Sequence, residues 1–245
     1  MYLYNNLIKK YSLKKKQFAV LIDPDDYSLT SLQKVINIST EANVDYFFVG
    51  GSLLTKINFH EIINYIKKNS TIPVILFPGS SIQIDNNADA ILFLSLISGR
   101  NPDLLIGQHV QAAPFLKASN LEVLSTGYIL IDSGRSTTAS YISNTTPIPY
   151  DKNDIAVCTA LAGQYLGQKL IYLDGGSGAK ETISITMISD IKNAINIPLI
   201  VGGGIVTAER AKEIATAGAD IIVIGNAISK NTSLIKDVSH AIHSI

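Results

Sequence analysis

The residues best suited to chemistry sit where apolar runs meet glycine or carboxylate. The segment Ile171-Tyr172-Leu173-Asp174-Gly175-Gly176-Ser177-Gly178-Ala179-Lys180 places a carboxylate at the end of a strand-like run and follows it with glycines. Period-2 alternation puts Tyr172 and Asp174 on one side of that strand, and in a barrel that side is the interior or mouth. A carboxylate there can accept the proton of a substrate hydroxyl, while the amides of Gly175, Gly176, Ser177 and Gly178 face the same ligand. The bland alternative is a helix N-cap or a buried acceptor. Further upstream, Ile22-Asp23-Pro24-Asp25-Asp26 offers three carboxylates in four residues. That suits a hard cation such as Mg²⁺, which uses one or two carboxylates together with substrate phosphate oxygens. It is equally a good turn and helix-start sequence. Val49-Gly50-Gly51-Ser52 brings a hydroxyl and amides to the same mouth, where they can complete a cation or diphosphate site.

Two glycine turns near the end of the chain point to a phosphorylated ligand. PLIVGGGI (198–205) and DIIVIGNAI (220–228) each run from β-branched residues into glycine and then into a helical pattern. Backbone N–H groups and helix N-termini converge at such turns, and a side chain there would hold an anion away from the amides. The alternative is two tight structural turns. The chain has three arginines, Arg100, Arg135 and Arg210, and the first two fall in loops expected at the catalytic face. A guanidinium fork grips phosphate or diphosphate in two-point geometry, although an exposed ion pair is the plain alternative. His60, His109, His240 and His243 lie in helical patterns, and none is assigned a catalytic role. Cys158, the single cysteine, lies in the apolar pattern IAVCTALAGQYL and is expected as a buried small residue.

These residues must be positioned by strands. Apolar runs recur at 18–23, 46–51, 73–78, 90–95, 128–133, 170–176, 198–204 and 221–226, most of them separated by helical periodicity. Such alternation requires a parallel sheet with helical crossovers, and eight repeats favour closure into a single-domain (β/α)8 barrel over residues 1–245. Only residues 79–89 join the third run to the fourth, too few for two loops and a full helix, so the third helix is expected to be lost or reduced to a turn. Residues 133–154 form a long Ser- and Thr-rich excursion, expected as a lid on the catalytic face. Lysine plus arginine and aspartate plus glutamate number 20 each, so no basic field holds nucleic acid and an anion must be bound by local geometry. No apolar run reaches the roughly 18 residues of a membrane span, and a cytoplasmic protein is expected.

FAVLIDPDD, FVGGS, SGRNPDLLIGQ, YLDGGSGA, VGGGI and IGNAI, in this order over nearly the whole chain, resemble the geranylgeranylglyceryl phosphate synthase family, specifically its longer group that includes bacterial members. The resemblance implies a modified TIM barrel with a degenerate third helix. It implies an ether-forming prenyltransferase that joins sn-glycerol 1-phosphate to a polyprenyl diphosphate, usually geranylgeranyl diphosphate, with Mg²⁺. By motif, Asp23 and Ser52 would bind Mg²⁺; Arg100, from its loop position, is a candidate second clamp on the diphosphate. Tyr172, Leu173, Asp174, Gly175, Gly176, Ser177 and Gly178, Gly203 with Gly204, and Gly225 with Asn226 would hold the glycerol phosphate. Asp174 would be the base. The family usually has YLEAGSGA, so Asp174 is one methylene shorter than the usual Glu, and Gly175 replaces the usual Ala. The tail groove has Phe77, Phe93, Leu94 and Tyr141 as candidates, with core packing the default for each. A dimer or larger homo-oligomer is implied, and the small residues around Ala160, Ala162 and Gly163 fit either another chain or the barrel itself. Two rivals share parts of the pattern. A phosphosugar isomerase or aldolase would use the phosphate cradle but needs a Schiff-base lysine or an acid/base pair. A non-catalytic binder of phosphorylated metabolites would need neither DPDD nor YLDGGSGA.

Overall fold

The computed structural model describes residues 2–245. Its eight parallel strands, β1 (Gln17–Ile22), β2 (Tyr46–Val49), β3 (Val74–Leu76), β4 (Ala90–Leu96), β5 (Glu122–Leu130), β6 (Leu170–Asp174), β7 (Leu199–Gly202) and β8 (Ile221–Ile224), close in sequence order, with β8 pairing back onto β1. The strands bury side chains on both faces, as parallel strands walled by helices must. Ala19, Tyr46, Phe48, Leu92, Leu170 and Ile200 fill the barrel interior, and a second cluster lies between the strands and the helical layer.

The helices are α1 (Tyr2–Ser12), α2 (Leu29–Glu41), α3 (Phe59–Asn69), α4 (Gln108–Ala118), α5 (Thr138–Ser143), α6 (Asn153–Tyr165), α7 (Ile185–Ala194), α8 (Ala208–Ala217), α9 (Asn226–Lys230) and α10 (Leu234–His243). Local chemistry starts several of them. Ser28 and Ser31 form a reciprocal capping box on α2, and Ser184 and Thr207 cap α7 and α8. Helix α1 sends Leu3 and Leu7 into the interior cluster, and its first N–H groups, on Leu3 and Tyr4, donate to the Glu122 carboxylate at 2.9 and 3.2 Å. An anion thus meets the positive end of a helix.

Between β3 and β4 the chain makes turns without a helix, so the third crossover is degenerate as expected. Buried Gln83 braces this stretch, donating to Gly51 O at 3.0 Å and accepting from Gly79 N at 3.1 Å. The excursion over residues 133–154 carries α5, capped by Thr137 with Ser140, and returns to the barrel through a bridge between Ile131 and Ile148.

Two expectations fail. Strand β5 begins at Glu122, not at 128, because Ser125, Thr126 and Gly127 hide the strand pattern; Thr126 is fully buried, with its hydroxyl donated to Leu124 O at 2.8 Å. Cys158 is exposed, not buried. Helix α6 turns Ala156, Ala160 and Gly163 inward, and a Cβ on Gly163 would sit 2.8 Å from Ile97 Cδ1, so Ala160 and Gly163 pack on the chain's own barrel while Ala162 faces outward. An apolar pattern on both faces gave no signal of which side would be outward. No helix among the described residues is long and apolar enough to cross a membrane.

Candidate active site

Two cavities open at the end of the barrel where the strands finish. One, of about 540 Å³, is polar and lies over the ends of β1, β6, β7 and β8. The other, of about 370 Å³, is apolar and lies over β3 and β4, beside the missing helix. They share Gly51, Ser52, Phe77 and Tyr128 as a common wall.

Asp174 lies at the floor of the polar cavity, 7% exposed. Parallel register sets Leu130 beside it on β5 and Gly202 beside it on β7, and sets Tyr128 opposite Tyr172. Tyr128 Oη donates to Asp174 Oδ2 at 2.5 Å, and Gly176 N donates to Oδ1 at 2.8 Å. Burial pushes the Asp174 carboxyl above the usual carboxylate range, and those two hydrogen bonds pull the other way. The carboxylate is thus held in one orientation with a raised basicity, as a base acting on a neutral hydroxyl requires. The tyrosines beside it are driven the same way, first by burial and then by the Asp174 charge, so both stay protonated. Tyr172 stacks on Phe77 with centroids 5.2 Å apart and meets Tyr128 edge-on at 5.4 Å.

Loops from β6, β7 and β8 close the far side. Gly203 has φ +92°, and a Cβ there would lie 2.6 Å from Gly175 N and 3.0 Å from Asp174 Oδ1, so only glycine lets the β7 turn approach the β6 turn. Gly176, Gly178, Gly204 and Gly225 line the same space. Ser177 Oγ and the Asn226 side-chain amide, 3.2 Å apart, join the β6 and β8 loops. Arg135 and Lys230 supply positive charge at the cavity wall.

The first strand's carboxylates divide their work. Asp25 accepts from Thr55 N and Thr55 Oγ1, both at 2.7 Å, and from Lys56 N at 3.0 Å, which fixes the loop after β2. Asp23 and Asp26 line the polar cavity. Asp23 Oδ1 accepts from Asp25 N at 3.0 Å, while a Cβ on Gly51 would stand 2.8 Å from Oδ2, so that oxygen faces the turn carrying Ser52. Burial, reinforced by the charges of Asp26 and Asp25, raises the Asp23 carboxyl to about 6. The segment forms the turn, and of its three carboxylates Asp23 and Asp26 face the polar cavity while Asp25 is committed to the loop after β2. No group of three or more His, Cys, Asp or Glu among the described residues can hold a metal by itself.

Tyr172, Asp174, Gly176, Ser177, Gly178, Gly203, Gly204, Gly225 and Asn226 meet around the polar cavity, and Ser52 stands where the two cavities join. Three expected residues lie elsewhere. Leu173 points to the outer cluster, because alternation on β6 turns it away from Tyr172 and Asp174. Gly175 is buried beside the cavity wall and donates its N–H to Gly202 O at 3.1 Å. Arg100 is exposed and donates Nη1 to the carbonyls of its own loop, Gly99 O at 2.8 Å and Ile97 O at 3.4 Å. It lines neither cavity, whereas Arg135 lines the polar one.

Sequence reasoning missed Tyr128 and Lys230. Tyr128 had a signal, since its strand runs beside the YLD strand, but the pairing register needed to see it is not local. Phe77, Phe93 and Leu94 line the apolar groove, whereas Tyr141 stands outside it. His109 is buried against the groove, its Nε2 3.1 Å from Ser95 Oγ and its ring edge-on to Phe93 at 4.5 Å, and burial lowers its pKa.

Comparison with known proteins agrees with this geometry. Residues 11–242 match the PcrB family. The geranylgeranylglyceryl phosphate synthase of Chitinophaga pinensis is 54% identical over 242 residues, spanning 99% of this chain and 96% of its own. The protein of the same name from Pyrococcus furiosus is 44% identical over 222 residues, spanning 90% of this chain and 88% of its own. A crystal structure of (S)-3-O-geranylgeranylglyceryl phosphate synthase from Thermoplasma acidophilum, in complex with its substrate sn-glycerol-1-phosphate, superposes on all of this chain and all of its own with a TM-score of 0.93 at 32% identity. The fold and the joined cavities define a barrel enzyme of the prenyltransferase type. The chain belongs to the PcrB family, alongside the geranylgeranylglyceryl phosphate synthases.

Proposed function

We propose that this chain joins sn-glycerol 1-phosphate to a polyprenyl diphosphate through an ether bond and releases diphosphate, a step of ether-lipid synthesis. One observation carries this: a glycine-lined polar cavity with a buried carboxylate shares a wall with an apolar groove opened by the missing crossover helix. A phosphorylated polyol and an apolar tail can thereby meet at Ser52, Phe77 and Tyr128. Neither an isomerase nor a simple phosphate binder has use for the groove.

The phosphate is held by the amides around Gly203, Gly204, Gly225 and Asn226, with Arg135 and Lys230 supplying charge at the wall. In this reading the glycerol C3 hydroxyl lies at Asp174. The carboxylate takes the hydroxyl proton as the oxygen bonds to the prenyl C1 and the C1–O bond to diphosphate breaks. Tyr128, donating to the other carboxylate oxygen, holds Asp174 in line. The faces and edges of Phe77, Tyr128 and Tyr172 surround the junction, where positive charge develops on C1.

Mg²⁺ fits the residues present. Asp23 directs a carboxylate oxygen toward the Ser52 turn, and one carboxylate plus phosphate oxygens is a normal Mg²⁺ donor set. When bound, the ion supplies charge neutralisation of the diphosphate leaving group. The loop over residues 133–154, which brings Arg135 and Thr138 to the cavity, helps keep water from the reacting carbon.

The test is an assay with labelled sn-glycerol 1-phosphate and prenyl diphosphates of increasing length, with and without EDTA, scoring organic-extractable product. An EDTA-sensitive lipid is expected. Glycerol phosphate that binds but is never converted with any tail would refute the transferase activity.

A further inference from the structure

We propose that the mouth of this barrel docks on a lipid bilayer, from which the prenyl diphosphate enters the groove and into which the ether product leaves. This rests on the apolar groove being the tail site. Three loops from separate strands carry large apolar side chains into solvent at the same end of the barrel: Leu53 and Ile57 after β2, Ile82 after β3, and Tyr141 with Ile142 in α5 after β5. Ile57 is fully exposed, Ile82 is 87% exposed and Tyr141 82%, so none of the three contributes to the core. Isolated exposed leucines and isoleucines are ordinary on a protein surface. These are grouped around one opening. Ile142 itself lines the apolar groove, Ser80 and Ser81 beside Ile82 line it as well, and Leu53 lines the polar cavity next door. The groove wall therefore continues through Ile142 to the outer rim, and a tail longer than the groove emerges among these side chains.

The chemistry of the occupant follows from continuity and charge. Each methylene of a prenyl tail favours the hydrocarbon phase, so a long-chain substrate and its lipid product reside in a bilayer rather than in water. The chain carries no net charge, and around the mouth Asp23, Asp25, Asp26 and Glu181 stand against Lys56, Arg135, Lys180 and Lys230, so anionic headgroups exert no strong pull. Insertion of aliphatic side chains is left as the driving force. The apolar groups project from three separate connections, interspersed with serines and other polar residues. That form suits entry into a fluid interface, whereas a protein partner requires a continuous complementary patch.

The test is co-sedimentation of the full chain with phosphatidylcholine vesicles at low and high salt, using the native protein and the double variant Ile57→Ser/Ile82→Ser. Both positions are exposed and away from the reacting groups, and an unchanged thermal midpoint verifies the fold. The native chain is expected to pellet with neutral vesicles at both salt concentrations, and the double variant to partition at least about 10-fold less. The variant's kcat/KM on a short, water-soluble prenyl diphosphate should stay within about 2-fold of the native value, while its rate on a long tail embedded in vesicles falls with its binding. Absence of pelleting, pelleting only with anionic vesicles at low salt, or a variant that pellets like the native chain each overturn the proposal. A native dimer that the substitutions dissolve would reassign the face to a second copy of this chain and overturn it too. Failure of the native protein to convert even the short substrate would instead refute the transferase activity; vesicle binding is read without turnover.

Discussion

Tyr128→Phe removes one oxygen and leaves the surrounding aromatic packing in place. The ring meets Phe77 edge-on at 5.9 Å and Tyr172 at 5.4 Å, and neither contact involves the hydroxyl. What is lost is the donor to Asp174 Oδ2, on a carboxylate only 7% exposed and so hardly screened by water. A hydrogen bond to a charged group is worth about 1.5–3 kcal/mol, and one pKa unit corresponds to about 1.4 kcal/mol, so the Asp174 carboxyl should rise by about 1–2 units. The sign follows from which form accepts. The tyrosine O–H stabilises the ionised carboxylate, so its removal favours the protonated form, and a protonated Asp174 cannot serve as base. The acid limb of the kcat/KM profile, measured from about pH 5 to 9, should therefore move upward by about 1–2 units with much of the high-pH plateau kept. The KM for glycerol phosphate at the plateau should change little. An acid limb that stays in place, or a loss equal at every pH, would refute the coupling of Tyr128 to the base.

Asp174→Asn should abolish turnover by at least about 100-fold, as loss of a general base does. It should also raise the thermal midpoint at neutral pH: the folded carboxyl lies above its unfolded value, so ionising it costs stability as pH rises through that interval, and an amide escapes the cost. Gly203→Ala puts a Cβ 2.6 Å from Gly175 N at φ +92°, so a loss of about 1–3 kcal/mol in chemical denaturation and a glycerol phosphate KM raised at least about 10-fold are expected. Arg135→Ala should raise that KM by about 10-fold while Arg100→Ala stays within about 2-fold, and the reverse order in steady-state kinetics would contradict the placement of the two guanidinium groups. Mg²⁺ should raise the thermal midpoint more as pH climbs through about 6, where Asp23 ionises, and a scan of Asp23→Asn should show no such pH-dependent gain.

Much of the site could be read from one strand at a time. Tyr172 and Asp174 share a face because strand side chains alternate, and Gly203 and Gly204 mark a tight turn because nothing larger fits it. The same alternation sends the Leu173 side chain outward into the layer between strands and helices. The short interval between β3 and β4 revealed the missing helix by length alone. Arg100 and Arg135 look equivalent as loop arginines, yet one spends its donors on its own backbone and the other reaches the cavity, a choice made by loop conformation.

Local pattern by itself determined the number of strands, though not the start of β5, and the glycine turns, because each depends on residues a few positions apart. Tertiary structure decided the rest. Tyr128 meets Asp174 across 46 positions of sequence because parallel register aligns β5 with β6, and the apolar groove exists because closing the barrel leaves the space of an absent helix open beside β3 and β4. Register and closure are set by how all eight strands pack at once, which no single segment encodes.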